Sequence, residues 1–460
     1  MDASGTAELV AALPLAEAAL RLLQRVTDEE PLKQLFEEHR GRGYESVLTF
    51  PQMVQLIGDA LLEAGGSGYR IFVRAQEAGG LSTSIAAVYG KLGRLHIGLS
   101  QAFLADRSDP LRELFPAKAR RAAPPSLRKF ATVILDGKAI KRVAKRLKPL
   151  RGVAGGLLGG RTLVALEYAT GLAIAFHAEA DGDANDARFV PHLLPVVRSR
   201  VSGPRLWLAD RGFADLRRFA EFTAENDHFL VRYHPKCGFH RDHDRAVRHS
   251  RDAQERAILE EWGWLGAATH KLRRYVRRVT LSRPAEEDVI LVTDLLASQE
   301  FPATELLELY RERWGIERVF QQVTEIFGLK GLIGGTPQAT IFQFSFCLLL
   351  YNVLQTIRGY VANHQQRDCE TISLENLFVD AREQLTTWSV LERRAVVSLD
   401  FFQSWPTKSL TKRLHQILKP EWSERWIKAI NKKPRPTTMR STKRTHSSVF
   451  RLLRDAPQRC

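Results

Sequence analysis

The stretch "LYRERWGIERVF", residues 309–320, decides how this chain is read. At 100° per residue, Leu309, Ile316, Val319, Phe320, Val323, Ile326 and Phe327 line one apolar arc of a helix. Tyr310, Arg313 and Glu317 fall within roughly 60° of one another along one edge of that arc. Taken alone, Arg313 and Glu317 form an i, i+4 ion pair on a solvated shoulder, worth a few tenths of a kcal/mol. The competing reading is a functional edge, and it requires carboxylates from elsewhere in the chain.

Composition sets the bounds. A chain of 460 residues exceeds one compact core, so two or three domains are expected. With 44% hydrophobic and 26% charged residues it has the make-up of a globular protein. Charge is the outlier: 68 Lys+Arg against 52 Asp+Glu gives +16, and an excess of that size points to a polyanion, most often nucleic acid. The first 23 residues lack the layout of a signal peptide, being interrupted by Pro14 and Glu17. The most apolar run, from Thr340, contains Gln343, Ser345, Asn352 and Gln355. It reads as a buried helix, not a membrane span. Four scattered cysteines make no disulfide framework. A cytoplasmic protein without a membrane partner is expected.

Along the chain, residues 1–120 read as helices with short breaks, and "STS" before Ile85 is a cap cluster. Such a region is a DNA-binding module or a helical packing module, and the sequence does not separate the two. At Phe130 the pattern changes. "FATVILDGKAI" is a strand-like run ending at Asp136, and two further runs flank a Thr170-Gly171 turn. "RLWLAD" is a strand ending at Asp210, followed by a helix and the strand "HFLVRYH". Strands that end on carboxylates and feed helices indicate an α/β core. Residues 235–289 read as a β-rich insertion, a helix begins near Thr304 with Gly328 as its terminator, and helices dominate from 338 to about 400. Residues 408–454 form a basic tail with 14 Lys/Arg and 2 Glu. The expected domains are therefore 1–120, 121–335 and 336–460.

Asp136 and Asp210 supply the missing carboxylates. Ligands of α/β sheets gather at the carboxyl ends of strands, and two strand-end aspartates plus one helical glutamate are able to hold two Mg²⁺ or Mn²⁺ ions. Each aspartate alone reads equally well as a turn residue, in Asp136-Gly137 and in Asp210-Arg211-Gly212.

"YRERWGIE" resembles the Tyr-x-x-Arg-x-x-x-Glu signature of the YREK group of bacterial DDE transposases, insertion sequence family four. "VILDGK" and "LWLADRGF" are similar to the family's two aspartate segments, and the 107 residues from Asp210 to Glu317 leave room for its β-rich insertion. The likeness spans roughly residues 45–360. It implies an RNase H-like catalytic core with Asp136, Asp210 and Glu317 as the metal-binding catalytic triad. It also implies Mg²⁺ or Mn²⁺ as cofactor, transposon-end and target DNA as partners, and a homodimer on paired ends. The activity implied is cleavage at transposon ends and 3′-OH strand transfer. A nuclease or resolvase without strand transfer, or a decayed copy acting as a DNA-binding repressor, are the rivals. Arg313 is expected to clamp a backbone phosphate, with Tyr310 near the DNA end. Lys138, Lys141 and Arg142, in a run with 7 Lys/Arg in 14 positions, and Arg211 join them as expected DNA contacts. One position departs: the signature lysine, seven residues after the glutamate, is Thr324.

Two weaker signals lie in the insertion. His234, Cys237, His240 and His243 stand three residues apart, a spacing that suggests zinc, but the single thiolate and interspersed charges argue against it. Trp262 and Trp264 are candidates for stacking on an extruded base, against a commoner role in the core.

Overall fold

The computed structural model describes residues 12–43, 45, 47–62, 67–141, 143–284, 286–325, 333–391, 405–428 and 446–456. It opens with helices α1 (Pro14–Val26), α2 (Glu29–His39), α3 (Phe50–Leu62), α4 (Gly68–Glu77), α5 (Ile85–Leu92) and α6 (Ile97–Leu114). The expected cap is present: Ser84 Oγ accepts from the N–H of Ala87 at the start of α5.

Then comes the sheet. β1 (Ala131–Lys141), β2 (Gly156–Glu167) and β3 (Ala173–Glu179) form an antiparallel meander. Helix α7 (Val190–Arg200) leads to β4 (Arg205–Ala209), which lies parallel to β1, and α8 (Leu216–Phe222) leads to β5 (His228–Arg232), parallel to β4. The order through this part is β3-β2-β1-β4-β5. The expected hairpin turn is at Thr170-Gly171, where Gly171 takes φ +71° and its N–H donates to Glu167 O at 2.8 Å. A side chain that prefers negative φ would strain this turn.

The insertion contains β6 (Phe239–Arg241), β7 (Arg248–Arg251), β8 (Ala257–Leu265), β9 (Arg274–Leu281) and β10 (Val289–Thr293). It does not stand apart from the core. β10 pairs antiparallel with β5, so the insertion prolongs the same sheet through β9 to β8. Buried Arg277 fixes β9 to β8 by donating to Glu260, with Nε–Oε2 at 2.7 Å.

The chain then forms α9 (Ala303–Arg311), a three-ten turn at Glu312–Trp314, and α10 (Gly315–Glu325). After these come α11 (Pro337–His364), α12 (Leu374–Leu391), α13 (Thr407–Leu418), β11 (His446–Ser448) and α14 (Val449–Arg454). α11 is long and apolar enough to cross a membrane by length and composition, yet its whole apolar window is buried in the molecule. Its polar residues explain why it packs there. Asn352 Nδ2 donates to Ser108 Oγ (2.9 Å) and Ala173 O (2.8 Å), while its Oδ1 accepts from the Ala173 N–H (2.8 Å). Gln355 Nε2 donates to Thr170 O at 2.9 Å. These bonds fix α11 to α6 and to the β2–β3 hairpin, since buried polar groups without partners are costly.

One apolar cluster runs from Leu15 in α1 through the sheet to Val449 in α14. The basic tail is part of that body where it is described. α13 buries Leu410, Leu414 and Leu418, and β11 lies parallel to the start of β2. Four of its eight described cations are paired with acids of the body: Arg413 with Glu17, Arg425 with Asp380, Lys428 with Glu370 and Arg451 with Asp181. Residues 429–445 of the tail lie outside the described residues.

Candidate active site

The segment 309–320 is not one helix. α9 ends at Arg311, the chain tightens into a three-ten turn over Glu312–Trp314, and α10 starts at Gly315. The expected start also shifts, because Pro302 and not Thr304 precedes the first turn. Gly328 lies outside the described residues. A tightened turn advances each residue by more than 100° and brings i and i+3 toward eclipse, so Tyr310 and Arg313 share an edge more closely than a single wheel gives. What the turn achieves is burial: Tyr310 and Arg313 are each 5% exposed, whereas Trp314 between α9 and α10 is 53% exposed.

Asp136 sits in mid-strand, and this corrects the expectation that its strand ends there. β1 continues to Lys141 because β2 pairs with it throughout. The parallel pairing with β4 stops earlier, at Ile134–Leu208. Continuing that register by two residues brings Asp136 level with Asp210, which follows the last residue of β4. The two strands part at the level of the aspartates, and α10 lies against β1 there.

Asp210 fits the turn reading offered for it. Its Oδ1 accepts from the Gly212 N–H at 2.8 Å, capping the three-ten turn Arg211–Phe213, and its charge also acts on Asp136. Gly137 has a different reason from the one the sequence suggested. It is no turn: a side chain there would overlap the carboxylate of Asp186, which Arg161 holds at 2.5 Å. Asp186 was missed, because nothing local in the sequence connects it to residue 137.

Arg313 connects the helix to the sheet. Its Nη2 donates to Glu317 Oε1 at 3.0 Å and its Nη1 lies 3.8 Å from Asp136 Oδ2. Nε and Nη1 have no hydrogen-bond partner, so a buried cation retains unused donors. Tyr310 donates through its hydroxyl to the carbonyl of Ala209, 3.3 Å away, beside Asp210. Burial pushes the Tyr310 hydroxyl up to about 12, so it stays a donor. Lys138 places its ammonium 5.3 Å from the centre of the Phe320 ring on α10. Burial, and then Lys141, draw its pKa down. Lys141 is exposed at the end of β1, and Arg211 pairs at the surface with Glu287 at 3.4 Å. Arg142 lies outside the described residues.

Burial pushes the Asp136 carboxyl up to about 7; Asp210 and Glu317 add to that push, while Arg313 and the Gly137 N–H oppose it. Asp136 therefore senses both of the other carboxylates. Among the described residues, no three His, Cys, Asp or Glu side chains are close enough to hold a metal ion together. The guanidinium of Arg313 instead lies between Asp136 and Glu317. The donor set fits a hard divalent cation in its chemistry: carboxylate oxygens only, in a partly buried place where uncompensated negative charge is unfavourable.

Other expected positions fall elsewhere. Cys237 is buried and its thiol donates to Ala214 O at 2.9 Å, while His234 Nδ1 accepts from the Lys236 N–H. Trp262 is core, its indole donating to Leu296 O at 2.9 Å, and Trp264 is 37% exposed with Arg273 over its ring at 4.3 Å.

Residues 132–353 match the model of a family described as "Transposase DDE domain". The match covers just under half of the chain, includes all three carboxylates, and supports a DDE transposase. No curated protein matches the chain. Among solved structures, the chain is similar to that of the piggyBac transposase synaptic complex with hairpin DNA. The identity is 10% and the TM-score 0.38, over 89% of this chain and 87% of that one.

Proposed function

We propose that this chain is a transposase of the YREK-signature DDE group, acting in the cytoplasm as a homodimer on paired transposon ends. The observation that carries the reading is that buried Arg313 lies between Asp136 and Glu317, with Asp210 level with Asp136 where β1 and β4 part. The order β3-β2-β1-β4-β5, with three antiparallel strands followed by two parallel ones, supports an RNase H-like core.

In this reading Asp136, Asp210 and Glu317 hold Mg²⁺ or Mn²⁺. The bound metal supplies activation of the attacking water or 3′-hydroxyl and stabilisation of the leaving oxygen. The remaining chemistry belongs to the chain's own groups. Arg313 carries a positive fork between Asp136 and Glu317, and to clamp the scissile phosphate it would exchange those contacts for phosphate oxygens. Tyr310 positions the end of β4, and through it Asp210, by its bond to Ala209. Lys138 lies on the same face of β1 as Asp136. With Lys141, Arg142 and Arg211 it supplies charge for the DNA backbone.

The test uses the DNA that flanks the coding region on either side, including any inverted repeats found there. Asp136→Asn, Asp210→Asn and Glu317→Gln should each abolish Mg²⁺-dependent cleavage while retaining DNA binding. Joining of pre-cleaved ends to a target plasmid separates a transposase from a nuclease. Cleavage at the wild-type rate in any of the three amide variants removes that residue from the triad.

A further inference from the structure

The outside of the turn that carries Arg313 and Glu317 is held by a second charged cluster that the proposed chemistry does not use. Its centre is Glu370, in the three-ten turn Cys369–Thr371 between α11 and α12. Oε1 of Glu370 takes Arg121 Nη2 at 2.6 Å and Arg358 Nη2 at 2.7 Å. Oε2 takes Lys428 Nζ at 3.2 Å and Arg318 Nη1 at 3.5 Å. Arg121 also reaches Glu312 Oε2 at 3.2 Å. Glu312–Arg121–Glu370–Arg318 is therefore a continuous chain of ion pairs, and its two ends are the side chains of the residues that bracket Arg313 and Glu317.

The two middle members of that chain, Arg121 and Glu370, are anchored in the body that carries Asp136. Arg358 projects from α11 and is 2% exposed. The backbone N–H of Arg121 donates to Ala169 O at 2.7 Å, next to the β2–β3 turn, and β2 pairs with β1 alongside Asp136. Burial alone would push the Glu370 carboxyl up, but Arg358 and Arg121, then Lys428 and Arg318, hold it well below the usual carboxylate range.

We infer that Glu370 is a positioning residue: it fixes the Glu312–Arg318 turn, and with it Arg313 and Glu317, against β1 and Asp136. Only the consequence for catalysis rests on the transposase reading; the clamp itself stands on the contacts. A small misplacement of a reacting group costs as much as about 100-fold in rate. The clamp needs both the charge and the length of Glu370, because it bridges four cations on separate segments.

Glu370→Gln, Glu370→Asp and Arg318→Met are compared with the full-length protein. Arg318 is half-exposed, so its variant keeps the fold even where Glu370→Gln does not. The first readout is hydrogen exchange of peptides spanning residues 303–325. The second is Mg²⁺-dependent nicking of supercoiled plasmid, with DNA affinity measured beside it and Glu317→Gln as control. Glu370→Gln and Arg318→Met should speed exchange in 303–325 without doing so in β1 or α11. They should lower the nicking rate about ten-fold or more and leave DNA affinity within twofold. Glu370→Asp should recover part of both effects. Unchanged exchange in 303–325 in Arg318→Met, or exchange raised equally throughout, overturns the inference. Wild-type protein that does not nick, or nicks as well with Glu317→Gln, overturns the transposase reading instead, and the exchange result still decides the role of Glu370.

Discussion

Arg313 donates to Glu317 at 3.0 Å while lying 3.8 Å from Asp136, so one buried guanidinium compensates two carboxylates from different elements. A metal ion bound by those carboxylates would compete for the same negative charge. Arg313→Met should lower the thermal midpoint of the metal-free protein, since removing one member of a buried charge group leaves the others uncompensated. Added Mg²⁺ should then raise the midpoint of the variant by more than it raises that of the wild type. Thermal scans with EDTA and with Mg²⁺ measure both. Equal increments in the two proteins would mean that arginine and ion do not compete.

The Asp136 carboxyl, raised to about 7 from an ordinary 3.8, gives two pH dependences of known sign. Between about pH 4 and pH 7 the folded protein holds a proton there that the unfolded chain has lost, so stability falls as pH rises through this window. Above pH 7 the penalty is complete, of the order of a few kcal/mol. Asp136→Asn should therefore stabilise the metal-free protein at pH 8 and leave it nearly unchanged at pH 4, as denaturant titrations at the two pH values would show. Metal affinity runs the other way. Mn²⁺ binding to the wild type should strengthen with pH up to about 7 and then level off, with about one proton released per ion. A flat profile from pH 5 to pH 8 would exclude Asp136 as a ligand.

Much of the site is legible in sequence because its members carry local signals. Asp136 follows a β-branched run, Asp210 closes "RLWLA", and Tyr310, Arg313 and Glu317 share one short motif. The α/β class and the Thr170-Gly171 hairpin follow from period-2 runs and turn residues for the same reason. What the sequence does not reveal depends on distant partners. Asp136 lies in mid-strand because β2 continues along β1 past the point where β4 leaves it. Gly137 is small because Asp186, 49 residues later, occupies the space above it. The three-ten turn at Glu312–Trp314 breaks a pattern that reads as continuous helix, and Glu312 and Arg318 beside it are held by Arg121 and Glu370. Periodicity describes the face of a helix and carries no information on ion pairs between segments so far apart.

The basic tail is the other place where charge alone misleads. Arg413 pairs with Glu17, a side chain 1% exposed that also accepts from Arg21 at 2.7 Å. Arg413→Ala should cost about 1–3 kcal/mol, as loss of hydrogen bonds to a charged group does, and it should leave the salt dependence of DNA binding unchanged. Removing residues 405–460 should be worse, because it exposes the surface that Leu410, Leu414 and Leu418 cover. A truncated protein that keeps the wild-type melting temperature would return α13 to the role of a detachable DNA-tracking arm.

Thr324, at the position of the signature lysine, is a testable departure from the YREK pattern. Its hydroxyl already donates to Phe320 O at 2.7 Å, one turn back along α10, so it is not free for a phosphate. Residues 317 and 324 both lie within α10, whose α-helical geometry is regular, and they are seven apart. They share a face, about 20° and about 10 Å apart. That relation does not depend on the three-ten turn before Gly315. A lysine at 324 would add a flexible positive charge on the face that carries Glu317. Lys138, over the Phe320 ring at 5.3 Å, already places one ammonium against the same helix. The wild type is therefore expected to lack one ionic contact to DNA and to retain its chemistry. Thr324→Lys should leave the rate of Mg²⁺-dependent cleavage within twofold and steepen the log–log salt dependence of end binding by about one unit. If the variant folds but no longer cleaves, a lysine is incompatible with this face, and the alignment of α10 with the YREK signature is wrong.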